Sequence, residues 1–343
     1  MKAYVLDRYG RKGHGAIRDM PEPTLGEQDV LVEIHAAGVN PLDAKIAHGE
    51  FKLVLPYRLP LILGNEMAGI VRRVGARVTR FKPGDAVYAR PDKNRIGTFA
   101  NYIAVNEADV ATKPESLSME QAASLPLVAL TAWQVLVERA NLQKGQRVFI
   151  QAGSGGVGTL AIQLAKHLGA FVATTTSNAN IGLVKSLGAD VVIDYGKEDV
   201  ATVLRDYDVV LHSLGADQLE QSLRILKPGG KLISISGPPD ADFARALGMS
   251  WPMVSVMKLL SYRIRRKAKR LGVHYSFVFM RAQGDQLGQI AALVDSGAIR
   301  PVLDRVFPFE STADALAYVE TGRAKGKVVV SMKPSSADPG ASS

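Results

Sequence analysis

Strand-length apolar runs separated by Gly and Pro dominate residues 1 to about 125. DVLVEIHAAGV, AGIVRRVG and DAVYAR are rich in β-branched residues and stop at turn residues, and little there reads as long helix. This pattern predicts a strand-rich domain. From about residue 126 the period changes: RVFIQA, FVATTT, DVVID, DVVLHSLG and KLISISG are strand-like and alternate with helical spacing, which predicts parallel βαβ units over 126–283. A basic, less regular stretch lies between about Ala246 and Arg270. The helical pattern DQLGQIAALVDSG, the run RPVLDRVFPF, a further helix and the strand KVVVSM follow, and 284–332 is expected to complete the first domain. The final residues, 333–343, have the composition of a disordered tail.

The strongest chemical signal sits at the first strand-to-helix junction of the βαβ series. Gly153-Ser154-Gly155-Gly156-Val157-Gly158 places glycines in G-x-G-x-x-G register, after RVFIQA and before TLAIQLAKHLGA. Val157, Leu160, Ala161, Leu164, Ala165 and Leu168 recur at helical spacing, so one helix face can pack on the sheet while its N-terminus points at the loop. Unpaired amides and the positive dipole end there suit a pyrophosphate. The bland alternative is a tight turn alone. An NAD site usually ends its second strand in Asp or Glu. Here the strand ends in Thr174, Thr175, Thr176, Ser177 and Asn178, and hydroxyl and amide groups accept a 2′-phosphate that a carboxylate would repel. NADPH is therefore the expected cofactor. Asn180, Lys185 and Tyr195 lie downstream within potential reach, although Lys185 is equally well an exposed helix residue.

Composition narrows the chemistry further. The 343 residues, 47% hydrophobic and 22% charged, suffice for two globular domains. There is no cysteine, which removes thiolate metal ligands, disulfides and thiol nucleophiles. No apolar run approaches the roughly 18 residues of a membrane span, and no secretory signal is recognisable, so a cytoplasmic protein is expected. The net charge of +9 is spread along most of the chain.

Together with the glycine loop, the segments VEIHAAGVNPLDAKI, LILGNEMAGIVRRVG, FKPGDAVYA, LPLVALTAWQVL and LKPGGKLISISG resemble the medium-chain dehydrogenase/reductase superfamily, in its quinone oxidoreductase branch. The resemblance extends to about Met332. It implies an α/β protein with a GroES-like β-rich substrate domain over 1–125, a Rossmann doubly wound parallel-sheet domain, a cleft between them and a homodimer. Zinc-dependent relatives carry a cysteine and a His-Glu pair where this chain has Asn40 and Asn65-Glu66. Only Glu66 belongs to the zinc ligand set, so no metal is expected. Without a metal to polarise the substrate, hydride transfer needs an electron-poor acceptor held against the nicotinamide, such as a quinone or an enone.

The resemblance further implies that Asn40 lies near the nicotinamide ribose and substrate, and that Thr131 faces the nicotinamide. Asp43 and Lys45 are candidates to orient or protonate the substrate, against the alternative of a capped surface turn. Leu214, Gly215, Ser236, Gly237, Phe277, Val278, Phe279 and Lys325 are carried over as cofactor contacts. His212 reads as structural rather than acid–base.

The segment WPMVSVMKLLSYRIRRKAKRLG sets apolar residues ahead of Arg263, Arg265, Arg266, Lys267, Lys269 and Arg270. It is either a solvated helix or a membrane-surface contact; nucleic acid is not an expected partner. At this level quinone reduction, reduction of a 2-alkenal or enone double bond, and a non-catalytic NADPH-binding protein with a nucleic-acid or membrane contact all stand.

Overall fold

A computed structural model describes residues 1–10, 15–52 and 54–333, so the expected tail at 333–343 lies outside the described residues except for Lys333. The chain divides into two units, Met1–Leu130 with Arg281–Ser343, and Thr131–Met280.

The first unit is built around the strand Asp29–Val39, which is buried along nearly all its length because it is paired on both edges. Met67–Val74 runs antiparallel along one edge. The other edge is shared: Tyr102–Asn106 pairs with Asp29–Glu33, and Lys327–Ser331 pairs with Ala36–Val39. Leu303–Pro308 lies outside Lys327–Ser331, while Ala86–Ala89 and Val110–Thr112 extend the sheet beyond Met67–Val74. Val32, Ile34, Met67, Val71, Val87, Phe99, Val328 and Val330 join in one core. Each such side chain contributes about 1.5–3 kcal/mol on burial. The antiparallel register sets Val328 opposite Val39, so one step further on Lys327 arrives beside Asn40. The fold thereby joins residues 287 positions apart.

The second unit holds a six-stranded parallel sheet in the spatial order Val191–Asp194, Phe171–Thr176, Arg147–Ile150, Tyr207–His212, Leu226–Ser234, His274–Phe277. Numbered along the chain, that is 3-2-1-4-5-6, the order of a dinucleotide-binding sheet, with the order reversing beside the first strand. Helix Gly156–His167 follows that first strand and buries Gly158 through Ala165. The structure thus has a β-rich unit and a parallel α/β unit.

One expectation is corrected. The stretch between Ala246 and Arg270 is regular: it forms the helices Trp251–Leu260 and Tyr262–Arg270. Its irregular look has a physical source. Only Met257 of the first helix is buried, and large apolar residues occupy its outward face, so the alternation that announces an amphipathic helix is missing. Among the described residues no helix is long and apolar enough to cross a membrane.

Candidate functional site

In the second unit the glycine loop connects strand Arg147–Ile150 to helix Gly156–His167, with Gly155 at the N-cap and no side chain capping the helix. A bond from Thr159 N–H to the Gly155 carbonyl (2.9 Å) opens the helical ladder, so the amides of Gly156, Val157 and Gly158 precede it. Such amides suit a bound phosphate. Two glycines are required by close approach. A Cβ on Gly158 would lie 2.3 Å from the Ala152 carbonyl oxygen, and one on Gly153 would lie 2.1 Å from Thr174 Oγ1. Only hydrogen fits at either place, and the helix consequently starts hard against the strand.

The end of strand Phe171–Thr176 supplies two kinds of group. Thr174 Oγ1 donates to the Ile150 carbonyl (2.6 Å), and Thr175 Oγ1 accepts from Ala152 N–H (3.1 Å), so these hydroxyls hold the loop in place. Thr176 Oγ1 donates to Ser154 Oγ (2.9 Å), and Asn180 Nδ2 donates to Ser154 Oγ (3.3 Å) and Ser177 Oγ (3.2 Å). Ser154, Thr176, Ser177 and Asn180 therefore form one cluster of neutral polar groups beside the glycine loop. Tyr195 follows strand Val191–Asp194, its N–H donating to the Thr176 carbonyl (3.3 Å) and its ring exposed. Lys185 is exposed on helix Ile181–Ser186.

The remaining carried-over loops are tied together at the ends of the next strands. Ser236 Oγ donates to the Leu214 carbonyl (2.5 Å), and Ser234 Oγ accepts from Gly237 N–H (2.7 Å) and Ser236 N–H (3.3 Å). Ser234 Oγ also lies 3.0 Å from His212 Nδ1, a hydrogen bond whose direction follows the histidine tautomer. Burial pushes His212 down to about 4, so it is a neutral, structural histidine at physiological pH. Phe277 and Phe279 pack on Phe243, with ring centroids 5.0 and 6.0 Å away, and Val278 is buried between them in sequence. Thr131 is buried in helix Pro126–Trp133.

The first unit contains a second polar centre. Asn40 Nδ2 donates to Glu66 Oε1 (2.8 Å), and Lys327 Nζ donates to Asn40 Oδ1 (2.5 Å) and Glu66 Oε1 (2.6 Å). Glu66 Oε2 accepts from Leu127 N–H (2.7 Å). Asp43 accepts from Asn40 N–H (2.8 Å) and Asn65 Nδ2 (2.6 Å). All five side chains are buried. Gly38 makes room for them, since a Cβ there would lie 2.3 Å from Glu66 Oε1. Burial pushes Asp43 up to about 6, outweighing the hydrogen bonds from Asn65 and Asn40 that pull it down. Asn65 Oδ1 and Arg90 Nε are buried without a partner among the described residues.

The structure joins Asn40 to Asp43 but turns Lys45 away. Both acid and lysine lie on helix Pro41–His48, yet two residues are about 200° of helix rotation, so Asp43 faces the cluster while Lys45 is exposed. Likewise Lys325 is exposed, whereas Lys327 enters the cluster. Sequence reasoning missed Lys327; the only signal available was a lysine opening an otherwise apolar strand, KVVVS.

This centre does not fit a zinc ion. Its candidate donors are the amides of Asn40 and Asn65, an Asp43 carboxylate whose two oxygens already accept from Asn40 N–H and Asn65 Nδ2, and a Glu66 carboxylate already paired with an ammonium group. Amide side chains are poor zinc ligands, and the Lys327 charge opposes a second cation.

Comparison with known proteins shows the family of the chain. A family model described as "Alcohol dehydrogenase GroES-like domain" matches residues 26–115, and one described as "Zinc-binding dehydrogenase" matches 187–330. The mitochondrial NAD(P)H oxidoreductase RTN4IP1 of Danio rerio is 35% identical over 97% of this chain and 91% of its own length. An NADPH-dependent alkenal/one oxidoreductase of Arabidopsis thaliana chloroplasts is 35% identical over 96% of this chain and 79% of its own. The quinone oxidoreductase of Coxiella burnetii superposes with a TM-score of 0.85 at 30% identity, covering 97% of this chain and 99% of that one.

Proposed function

The chain belongs to the medium-chain dehydrogenase/reductase superfamily, in its zinc-free quinone oxidoreductase branch, and from that premise we propose an enzyme that uses NADPH to reduce a quinone or a related conjugated carbonyl compound. The chain is an oxidoreductase; its cofactor preference and acceptor are our reading. One observation carries it: the place of the zinc ligands is filled by Asn40, Asn65 and a Glu66 paired with Lys327. With a lysine in the metal's stead, the acceptor must itself be electron-poor.

The cofactor, when bound, supplies the hydride. The amides of Gly156, Val157 and Gly158 face its pyrophosphate in this reading, and Ser154, Thr176, Ser177 and Asn180 offer uncharged partners to a 2′-phosphate. Asn40 and Asp43 are positioning residues, since their polar atoms are engaged inside the buried cluster. Asn65 Oδ1 retains a free acceptor site for a polar ligand group. Thr131, Lys45, Lys325, Tyr195 and the Leu214–Gly215, Ser236–Gly237 and Phe277–Phe279 loops stay as contact candidates, supported by family membership. A homodimer completes the reading, supported by His274–Phe277 ending the six-stranded sheet as an edge strand; analytical ultracentrifugation tests it. Cytoplasmic residence belongs to the same reading and is checked by cell fractionation.

The likeness to the Arabidopsis alkenal/one oxidoreductase favours a second reading, reduction of a conjugated carbon–carbon double bond with the same donor. NADPH oxidation followed with a para-quinone, a 2-alkenal and a simple aldehyde, each repeated with NADH, separates the two. Quinone turnover with NADPH preferred is the expected result. Turnover of the alkenal alone moves the assignment to the double bond, and turnover of the simple aldehyde alone overturns both.

A further inference from the structure

Six of the ten large hydrophobic side chains exposed among the described residues belong to one short segment: Trp251, Val256, Leu259, Leu260, Tyr262 and Leu271. Trp251 is 80% exposed and Leu259 is 75% exposed, far beyond the incidental exposure of a core residue. They are regularly arranged. Trp251 and Leu259 lie two steps of four apart on helix Trp251–Leu260, and Val256 and Leu260 form the neighbouring row, so one outward face is apolar.

The next helix, Tyr262–Arg270, is anchored by Ile264 and Ala268, which reach the core of the unit at a spacing of four. Its outward side is cationic, with Arg263, Arg265, Arg266, Lys269 and Arg270 exposed. A groove of about 510 Å³ is lined by Tyr262, Arg263, Arg266, Lys267, Arg270 and Leu271. Lys267 pairs with Glu220, the acid that meets this helix from a neighbouring element. Between Asp242 and Asp285 the chain carries no acidic residue.

We propose that these two helices dock on an anionic lipid bilayer, with the apolar face at the acyl boundary and the cationic groove holding lipid headgroup phosphates. The proposal is independent of which acceptor the enzyme reduces. Charge complementarity selects the occupant. A second copy seated on this face by two-fold symmetry would bring like charges together, which costs energy without a compensating acid. A nucleic acid would satisfy the cations but leave Trp251, Val256, Leu259 and Leu260 in water. A bilayer interface takes both parts at once: aliphatic and indole groups at the acyl boundary, guanidinium and ammonium groups among anionic headgroups.

The full chain is tested by co-sedimentation with vesicles of phosphatidylcholine alone and with about 30% phosphatidylserine, at low and high salt. Tryptophan emission is recorded alongside. Retention on the anionic vesicles only, weakened by salt and accompanied by a blue shift of Trp251, is expected. Arg263→Gln/Arg266→Gln/Arg270→Gln lowers the partition coefficient by at least about tenfold, each basic residue near such a surface being worth about fivefold. Trp251→Ser/Leu259→Ser lowers it comparably and, with circular dichroism and thermal midpoint unchanged, excludes misfolding as the cause.

Four results would overturn the proposal. The first is equal retention on neutral vesicles, or none on either. The second is retention untouched by both variants. The third is a shift from dimer to monomer in Trp251→Ser/Leu259→Ser with no vesicle binding, which assigns the face to a second copy; salt-sensitive retention of RNA without vesicle binding likewise assigns it to nucleic acid.

Discussion

Asp43 sits wholly out of water and its carboxyl is pushed up to about 6 from an ordinary value of 3.8. Between those two values the native state holds a proton that the unfolded chain has released. Its contribution to stability is therefore fully present below about pH 4 and is lost as pH rises through about 6, amounting to about 3 kcal/mol. Asp43→Asn has no such titration. The wild-type stability minus that of Asp43→Asn, measured by urea unfolding, should fall by up to about 3 kcal/mol between about pH 4 and pH 6.5. A difference that stays constant or grows with pH contradicts the burial account. Some of this cluster was legible in the sequence. Asn40 and Asp43 are three residues apart in an N-P-L-D turn, so their pairing is local. Lys45 stands apart from the cluster because residues two apart lie on different faces of a helix. Lys327 was invisible because its partners are brought to it only by the register of an antiparallel strand pair.

Secondary structure was readable wherever local chemistry agreed with burial. The glycine loop satisfied three conditions at once, a buried strand before it, a helix packed on the sheet after it, and glycines where Cβ atoms would strike backbone or strand. Gly158→Ala tests whether that close approach serves the cofactor: the added carbon must displace Ala152 or Gly153, so the NADPH dissociation constant, measured by fluorescence titration, should rise at least about tenfold. An unchanged constant would mean that the loop tolerates the shift and that its geometry is merely structural. Helix Trp251–Leu260 failed the same local test, because its apolar side faces outward and the hydrophobic pattern no longer reports which side is inside.

For the whole molecule the two units offer complementary equipment, a parallel sheet with a phosphate-ready loop and a β-rich unit whose polar centre is closed by a lysine rather than a metal. The absence of cysteine and the asparagines at 40 and 65 set the expectation of a zinc-free chemistry from the sequence alone. The ammonium group at Glu66 supplies the physical reason, since a buried carboxylate needs a counter-charge and Lys327 provides it from within the chain. Removing one partner of such a pair leaves an uncompensated buried charge, so loss of either side chain destabilises the unit. The most direct test of this account is the rate of NADPH-dependent para-quinone reduction before and after exhaustive treatment with a zinc chelator. The account predicts the same rate in both samples and no gain on adding zinc back; a rate that collapses on chelation and returns with zinc would contradict it.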